Sequence, residues 1–111
     1  MSSGAMSRPG PVRACAVSDV PEQGAIRVEL AGQPVCIARS GGTVYALSDV
    51  CSHADVALSE GDVEDGRIEC WLHGSLFDLA TGEPTGLPAT RPVPVFPVTV
   101  EGDDVLVQME S

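Results

Sequence analysis

The chain has 111 residues, a length that allows one domain with one modest core. Sixteen acidic residues outnumber six basic residues, and the resulting net charge of −10 excludes nucleic acid as a partner. Such a charge favours docking onto a basic protein surface, although solubility alone accounts for much of it. A small chain of this charge is expected to be a monomer.

Residues 1–11 form a polar leader rich in Gly, Pro and Ser, which we expect to be disordered. The leader lacks the apolar stretch of a secretory signal peptide. No segment approaches the roughly 18 apolar residues that a membrane span requires. We therefore expect a cytoplasmic protein without membrane association, whose cysteines stay reduced. Residues 12–111 form its single domain.

Short β-strands are predicted throughout this domain, because nine prolines and twelve glycines divide it and no window has a sustained helical period. Residues 24–30 alternate, with Ile26, Val28 and Leu30 facing inward, and tight turns join this strand to the next two in a meander. The predicted strands are 12–16, 24–30, 34–39, 43–48, 63–64, 67–69, 75–78, 95–101 and 105–108. The pattern predicts an all-β fold in which residues 49–79 form a subdomain inserted between outer strands.

The only two histidines of the chain fall in two short motifs, together with two of its four cysteines. The first motif is Cys51-x-His53, and the second, Cys70-x-x-His73, begins after sixteen intervening residues. Thiolate and imidazole are good ligands for zinc and for the iron of iron–sulfur clusters. Each motif can present one cysteine and one histidine to a common centre, from an extended segment or from a tight turn.

Two cofactors suit this set of ligands. One is a structural zinc ion, and the other is a [2Fe–2S] cluster whose cysteines bind one iron and whose histidines bind the other. Zinc sites usually pair two cysteines on one element with two histidines on another, whereas here each motif carries one of each. The mixed order favours one cluster per chain, held by Cys51, His53, Cys70 and His73.

These motifs and their flanks resemble the Rieske [2Fe–2S] proteins, in particular the ferredoxins that serve aromatic-ring dioxygenases of the biphenyl, naphthalene and carbazole type. The resemblance covers about residues 12–108. The flanking segments that carry it are Leu58-Ser59-Glu60-Gly61, His73-Gly74-Ser75-Leu76-Phe77-Asp78, Ala80-Thr81-Gly82, Leu87-Pro88-Ala89 and Glu101-Gly102-Asp103-Asp104-Val105-Leu106-Val107.

The resemblance implies a Rieske iron–sulfur domain, an antiparallel β-sandwich with the cluster-binding subdomain at about 49–79. It implies that Cys51 and Cys70 bind a buried ferric iron. It also implies that His53 and His73 bind the outer iron, which takes the electron.

The resemblance also implies which residues surround the cluster. Gly74 is expected to let the backbone pass close to it, and Ser75 to raise its reduction potential by donating a hydrogen bond to a sulfur. Phe77 replaces the tyrosine of high-potential relatives, so the potential is expected to be low to intermediate. Trp71 stands where proline is common and is expected to pack over the loop. Pro88 lies in a segment that is either a third loop beside the cluster or a plain linker.

Respiratory Rieske proteins carry two further cysteines, whose disulfide braces the two ligand loops. Val56 and Leu72 occupy those positions here. The loops must therefore be held by packing and hydrogen bonds. Cys15 and Cys36 lie far from the motifs and are expected to be buried, reduced thiols.

The resemblance implies an electron carrier and not an enzyme. A Rieske oxygenase needs a second iron site with two further histidines and a carboxylate, and this chain has no third histidine. The expected partners are a flavin-containing, NAD(P)H-dependent reductase and a terminal non-haem iron oxygenase. Service to another redox system, such as iron–sulfur cluster assembly, is the alternative, and a structural zinc-binding module is a further one.

Overall fold

The computed structural model describes residues 11–50, 57–71, 74–85 and 92–109, and within them the chain is built from β-strands and two 3₁₀ turns, with no α-helix. The 3₁₀ turns are Val17–Asp19 and Leu58–Glu60. The strands are β1 (Val12–Ala16), β2 (Gly24–Leu30), β3 (Gln33–Ser40), β4 (Thr43–Ser48), β5 (Val63–Glu64), β6 (Arg67–Glu69), β7 (Leu76–Asp78), β8 (Val95–Phe96), β9 (Val98–Glu101) and β10 (Asp104–Val107). The all-β prediction is confirmed.

The strands form three antiparallel sheets. The outer sheet has the order β1-β10-β9, the middle sheet β2-β3-β4-β8, and the small sheet β5-β6-β7. The predicted meander is confirmed, because β2, β3 and β4 are neighbours in the middle sheet and pair antiparallel in register. The small sheet supplies the strands that lead into and out of the second ligand motif.

The middle sheet is buried on both faces. For this reason the described residues form two hydrophobic clusters and not the single core expected from the length of the chain. Successive side chains of a strand point to opposite faces. Val35 and Ile37 of β3 accordingly pack toward the outer sheet with Val105 and Val107. The alternate β3 residues, Cys36 and Ala38, belong to the cluster that also contains Leu58, Ile68, Cys70 and Phe77.

The predicted inward-facing residues of β2 are confirmed. Leu30 is buried, Ile26 and Val28 are partly buried against the same cluster, and Arg27 and Glu29 are exposed.

The hairpin of the small sheet is also confirmed. Asp65 and Gly66 both have positive φ, 52° and 78°, which is the backbone of a two-residue turn between strands.

The predicted strand 95–101 is wrong as one element, because the structure divides it at Pro97 into β8 and β9. β8 pairs with β4 in the middle sheet, whereas β9 pairs with β10 in the outer sheet. Proline has no N–H to donate to a ladder, so the strand breaks there and the chain crosses to the other sheet. The carbonyl of Pro97 still accepts a hydrogen bond from the N–H of Gln108 (3.0 Å), which ties the crossing to the end of β10.

Among the residues that the structure describes, no helix is long and apolar enough to cross a membrane.

Candidate metal centre

Of the four predicted ligands, Cys70 lies within the described residues, and Cys51, His53 and His73 lie outside them. Cys70 directly follows β6 and is fully buried. Its side chain belongs to the hydrophobic cluster between the middle sheet and the small sheet. Because Cys70 is surrounded by apolar side chains, a metal ion bound by its thiolate would be shielded from water on the side that faces the protein core.

The predicted first ligand loop, residues 51–57, is closed at its base by the side chain of Asp49. Asp49 follows β4, two residues before Cys51, and is 1% exposed. Its Oδ1 accepts a hydrogen bond from the backbone N–H of Ser59 (2.6 Å), and its Oδ2 accepts one from the Ser59 hydroxyl (2.7 Å). Hydrogen bonds to an ionised acceptor are stronger than neutral ones. Asp49 and Ser59 therefore join the two ends of the segment that carries Cys51 and His53.

Asp49 is itself fixed to the middle sheet. Its backbone N–H donates to the carbonyl of Pro34 (3.1 Å), and Nε of Arg27 lies 3.8 Å from its Oδ2. The Arg27 side chain is half exposed, so solvent weakens this attraction. Burial, and to a smaller extent the charge of Asp49, raises the pKa of the Cys36 thiol far above its usual range. Cys36 therefore stays a neutral thiol.

The segment that follows the first loop meets the segment that precedes the second at Gly61 and Glu69. A Cβ on Gly61 would lie 1.7 Å from the carbonyl oxygen of Glu69, so no other residue fits without moving the backbone. Next to this contact, the N–H of Glu69 donates to the carbonyl of Asp62 (2.8 Å). Because Glu69 immediately precedes Cys70, this contact sets the exit of the first loop against the entry to the second.

The predicted second ligand loop, residues 70–74, is closed by its own backbone. The N–H of Cys70 donates to the carbonyl of Ser75 (2.7 Å), and the N–H of Gly74 donates to the carbonyl of Cys70 (2.8 Å). Gly74 has a φ of +76°, in the left-handed region that side chains disfavour. A Cβ there would lie 3.4 Å from Oε2 of Glu69, an ordinary contact. Glycine is required at this position by its conformation more than by crowding.

Three side chains around this loop differ in exposure. Ser75 and Phe77 are fully buried, and Phe77 packs in the same cluster as Cys70. Burying a side chain of this size stabilises the fold by roughly 1.5–3 kcal/mol, which holds β7 in place after the loop. Trp71 is 50% exposed. Its packing over the loop stays a prediction, because residues 72 and 73 lie outside the described ones.

The connection that contains Pro88 begins next to Leu76, just after the second loop, and ends next to Gly82, beyond β7. Pro88 itself lies outside the described residues. The N–H of Thr85 donates to the carbonyl of Leu76 (2.8 Å), just before the segment 86–91. The N–H of Val93 donates to the carbonyl of Gly82 (2.8 Å) just after it. A Cβ on Gly82 would lie 2.0 Å from the carbonyl oxygen of Val93, so glycine is needed for this approach as well.

Four residues that support the loops were not singled out for this role from the sequence: Asp49, Ser59, Gly61 and Gly82. Ser59, Gly61 and Gly82 lie in segments that carry the family resemblance, which was the available signal. For Asp49 the only signal in the sequence was its position near Cys51. A sequence does not show that a carboxylate is buried or which donor it hydrogen-bonds to.

The donor chemistry fits a [2Fe–2S] cluster. Cys70 provides a buried sulfur at the entry to a tight turn, and Gly74 leaves the backbone of that turn without a side chain. Within the described part of the chain, which includes only Cys70 of the predicted ligands, no group of three or more His, Cys, Asp or Glu residues could hold a metal ion.

Comparison with known proteins adds a family match, a relative and two solved structures. The family profile of the Rieske [2Fe–2S] domain matches residues 10–97. The ferredoxin component of biphenyl 2,3-dioxygenase from Rhodococcus jostii RHA1 is 43% identical over 97 residues, which cover 87% of this chain and 91% of that protein.

Two solved structures are similar in fold and sequence. The ferredoxin of carbazole 1,9a-dioxygenase from Nocardioides aromaticivorans IC177 has a TM-score of 0.87 and 36% identity, over 92% of this chain and all of that one. A carbazole 1,9a-dioxygenase ferredoxin that was solved in a complex of reduced oxygenase and oxidised ferredoxin has a TM-score of 0.82 and 37% identity, over 88% and 92% of the chains.

Proposed function

The chain belongs to the Rieske [2Fe–2S] domain family, and from that premise we propose that it is the ferredoxin of an aromatic-ring dioxygenase system. It takes one electron at a time from a flavin-containing, NAD(P)H-dependent reductase and passes it to a terminal oxygenase. The observation that carries this proposal is the similarity to dioxygenase ferredoxins over nearly the full length of both chains. The protein is a component that delivers electrons, and the oxygenase carries out the chemistry on the substrate.

Cys51 and Cys70 bind one iron of the cluster in this proposal, and His53 and His73 bind the other. The bound cluster supplies a centre that accepts and releases one electron. Two thiolates and two neutral imidazoles bring less negative charge than four thiolates, so this donor set favours reduction more than that of a plant-type ferredoxin. The choice of ligands is supported by the order of the motifs and by the buried position of Cys70.

Residues 49–79 act as the cluster-binding subdomain. Asp49 and Ser59 hold the base of the first loop, the contact of Gly61 with Glu69 sets the two loops side by side, and the backbone of the second loop closes on itself. These fixed connections keep the ligands in place between the two oxidation states, so little reorganisation accompanies the arrival of an electron. They take over the bracing for which respiratory Rieske proteins use a disulfide.

The terminal oxygenase is the partner that receives the electrons. A relative of this chain is known in a complex with the oxygenase of carbazole 1,9a-dioxygenase, which supports the same type of encounter here. Adding both atoms of O₂ to an aromatic ring as a diol consumes two electrons and two protons. A one-electron carrier must therefore visit the oxygenase twice for each product molecule.

The cytoplasm is the location that suits this role. Cys15 and Cys36 are buried free thiols of the described chain, and no disulfide joins them. NAD(P)H, the electron source of the proposed reductase, is found in the same reducing compartment.

The function is tested by following the electron through the protein. The cluster-loaded protein is mixed anaerobically with NADH and a dioxygenase-type flavin reductase, and then with the oxygenase of carbazole 1,9a-dioxygenase or of biphenyl 2,3-dioxygenase. We expect bleaching of the visible absorbance on reduction and recovery on mixing with an oxygenase. A protein that dithionite reduces but that neither oxygenase reoxidises would contradict the proposed function.

A further inference from the structure

Trp71, the only tryptophan of the chain, is half exposed and directly follows the proposed ligand Cys70. Val50 is 40% exposed and directly precedes the proposed ligand Cys51. Consecutive Cα atoms are about 3.8 Å apart, so both side chains lie beside the cluster if the proposed ligands are right. Each of the two ligand motifs therefore carries one large exposed apolar side chain at its cysteine.

The other large exposed apolar residues of the described chain lie on strands away from these motifs. Val12 is on β1 and Val100 on β9, both in the outer sheet, and Val95 is on β8. Single exposed valines on strands are ordinary. An exposed tryptophan is different, because tryptophan is the residue type most enriched among the anchors of protein interfaces.

The surroundings of Trp71 are acidic. Glu60 and Asp62 flank Gly61, whose backbone touches that of Glu69, two residues before Trp71. At the end of the small sheet that leads to Trp71, Glu69 is hydrogen-bonded to Asp62, and Glu60 precedes Asp62 by two residues. These three carboxylates form the acidic rim, whereas Glu64, Asp65 and the basic Arg67 lie at the turn end of the same sheet. An apolar side chain beside such a rim is complementary to a recess with a rim of the opposite charge.

We propose that Trp71 is the docking anchor of this ferredoxin on its terminal oxygenase, and that its indole enters an apolar recess with a basic rim beside the oxygenase's electron acceptor. The inference rests on the proposed function. A carrier must bring its cluster close to the acceptor, and Trp71 is bonded to a residue that holds the cluster. The indole contributes affinity through burial, and the carboxylates steer the approach.

The experiment measures the second-order rate constant for oxidation of the reduced protein by the carbazole 1,9a-dioxygenase and biphenyl 2,3-dioxygenase oxygenases. The variants are Trp71→Ala, Trp71→Phe and Val100→Ala, the last as a matched control on the outer sheet. We expect Trp71→Ala to lower the rate constant by about tenfold, as for loss of an interface anchor. Trp71→Phe should keep most of the rate, and Val100→Ala should match the wild type.

Two further readouts separate docking from an effect on the cluster. In Trp71→Ala the rate of oxidation by ferricyanide, which needs no docking, should fall far less than the rate with the oxygenases. The reduction potential of each variant is measured as well, so that the oxygenase rates are compared at equal driving force. Raising the salt concentration should slow wild type and Trp71→Ala by similar factors, because both keep the acidic rim.

Several outcomes would overturn the proposal. One is a Trp71→Ala variant that matches wild type with both oxygenases, and another is a variant that slows equally with ferricyanide. A wild-type dimer in sedimentation that Trp71→Ala dissociates would assign the surface to a second copy of this chain. Wild-type protein that dithionite reduces but that neither oxygenase reoxidises would instead reject the proposed function, and the docking proposal with it.

Discussion

The two ligand loops are fastened in different ways. The first is closed by a buried side chain, since Asp49 holds both the backbone and the hydroxyl of Ser59. The second is closed by backbone hydrogen bonds between Cys70, Gly74 and Ser75. One substitution can remove the carboxylate that closes the first loop. The second loop is closed by main-chain groups, so a substitution can open it only by changing the backbone conformation. Between them lies the contact of Gly61 with Glu69, on which both loops depend.

Gly61→Ala should have the largest effect, because it forces apart the stretches that carry the two loops. The new Cβ would meet a backbone oxygen at 1.7 Å, and no side-chain rotation relieves that contact. We expect a loss of at least about 3 kcal/mol of stability, the upper range for overpacking, and little bound iron. The measurement is iron per purified chain together with the temperature at which the visible absorbance is lost.

Gly42→Ala is the matched control for crowding. Gly42 has a φ of +83° and no atom within 4 Å of the new Cβ, so only its conformation is strained. That strain costs roughly 1–2 kcal/mol, and the iron content should stay at the wild-type level. Equal iron content and equal midpoints in the two variants would show that the Gly61 contact does not join the loops.

Asp49→Ala should weaken the first loop by about 2–4 kcal/mol, because it removes two hydrogen bonds to a charged acceptor and leaves the N–H of Ser59 without its partner. Ser59→Ala removes only the hydroxyl bond and should cost about 1 kcal/mol. The half-life of the visible absorbance in the presence of an iron chelator measures both. If Ser59→Ala shortens the half-life as much as Asp49→Ala does, the backbone bond to Asp49 is not what closes the loop.

Gly74→Ala should weaken the second loop by roughly 1–2 kcal/mol, the cost of a left-handed conformation in a residue with a Cβ. Gly74→Asn should recover part of this loss, because asparagine adopts that conformation more readily. The same chelator half-life measures the pair. Alanine and asparagine variants that are equally impaired would point to crowding and not to conformation.

Cys36 should have the smallest effect, which is a pH dependence of the free energy of unfolding. Burial raises the pKa of its thiol, so above the ordinary thiol pKa of about 8.5 the unfolded chain loses this proton while the folded chain keeps it. This contribution to stability is complete below that pH and declines as the pH rises, by at most about 1.4 kcal/mol per pH unit. Unfolding midpoints between pH 8 and pH 10 should fall less steeply in Cys36→Ala than in wild type. Parallel slopes would contradict the assignment.

Much of the fold was predictable, because turns and alternation are local. The strands 12–16, 24–30 and 43–48 and the hairpin at Asp65-Gly66 followed from turn residues and from period-2 patterns. The break at Pro97 was visible as a proline, but which sheet each half joins depends on the whole fold. The double-sided burial of β3 escaped prediction for the same reason.

The candidate site divides in the same way. The four proposed ligands stand out in the sequence because their residue types and spacing are rare outside metal sites, and they remain a prediction. The contacts that hold the loops could not be predicted, because each joins residues that are not neighbours in the sequence. Asp49 meets Ser59 ten positions away, and Gly61 meets Glu69 eight positions away, and neither partner is marked by its own chemistry.

We propose that the two loops close on one Rieske [2Fe–2S] cluster through two cysteines and two histidines. A low-temperature electron paramagnetic resonance spectrum of the dithionite-reduced protein, with iron and zinc analysis of the same sample, tests this directly. We expect two irons per chain and a rhombic signal with the low average g value of mixed cysteine and histidine ligation. A colourless, silent sample with one zinc per chain would contradict it.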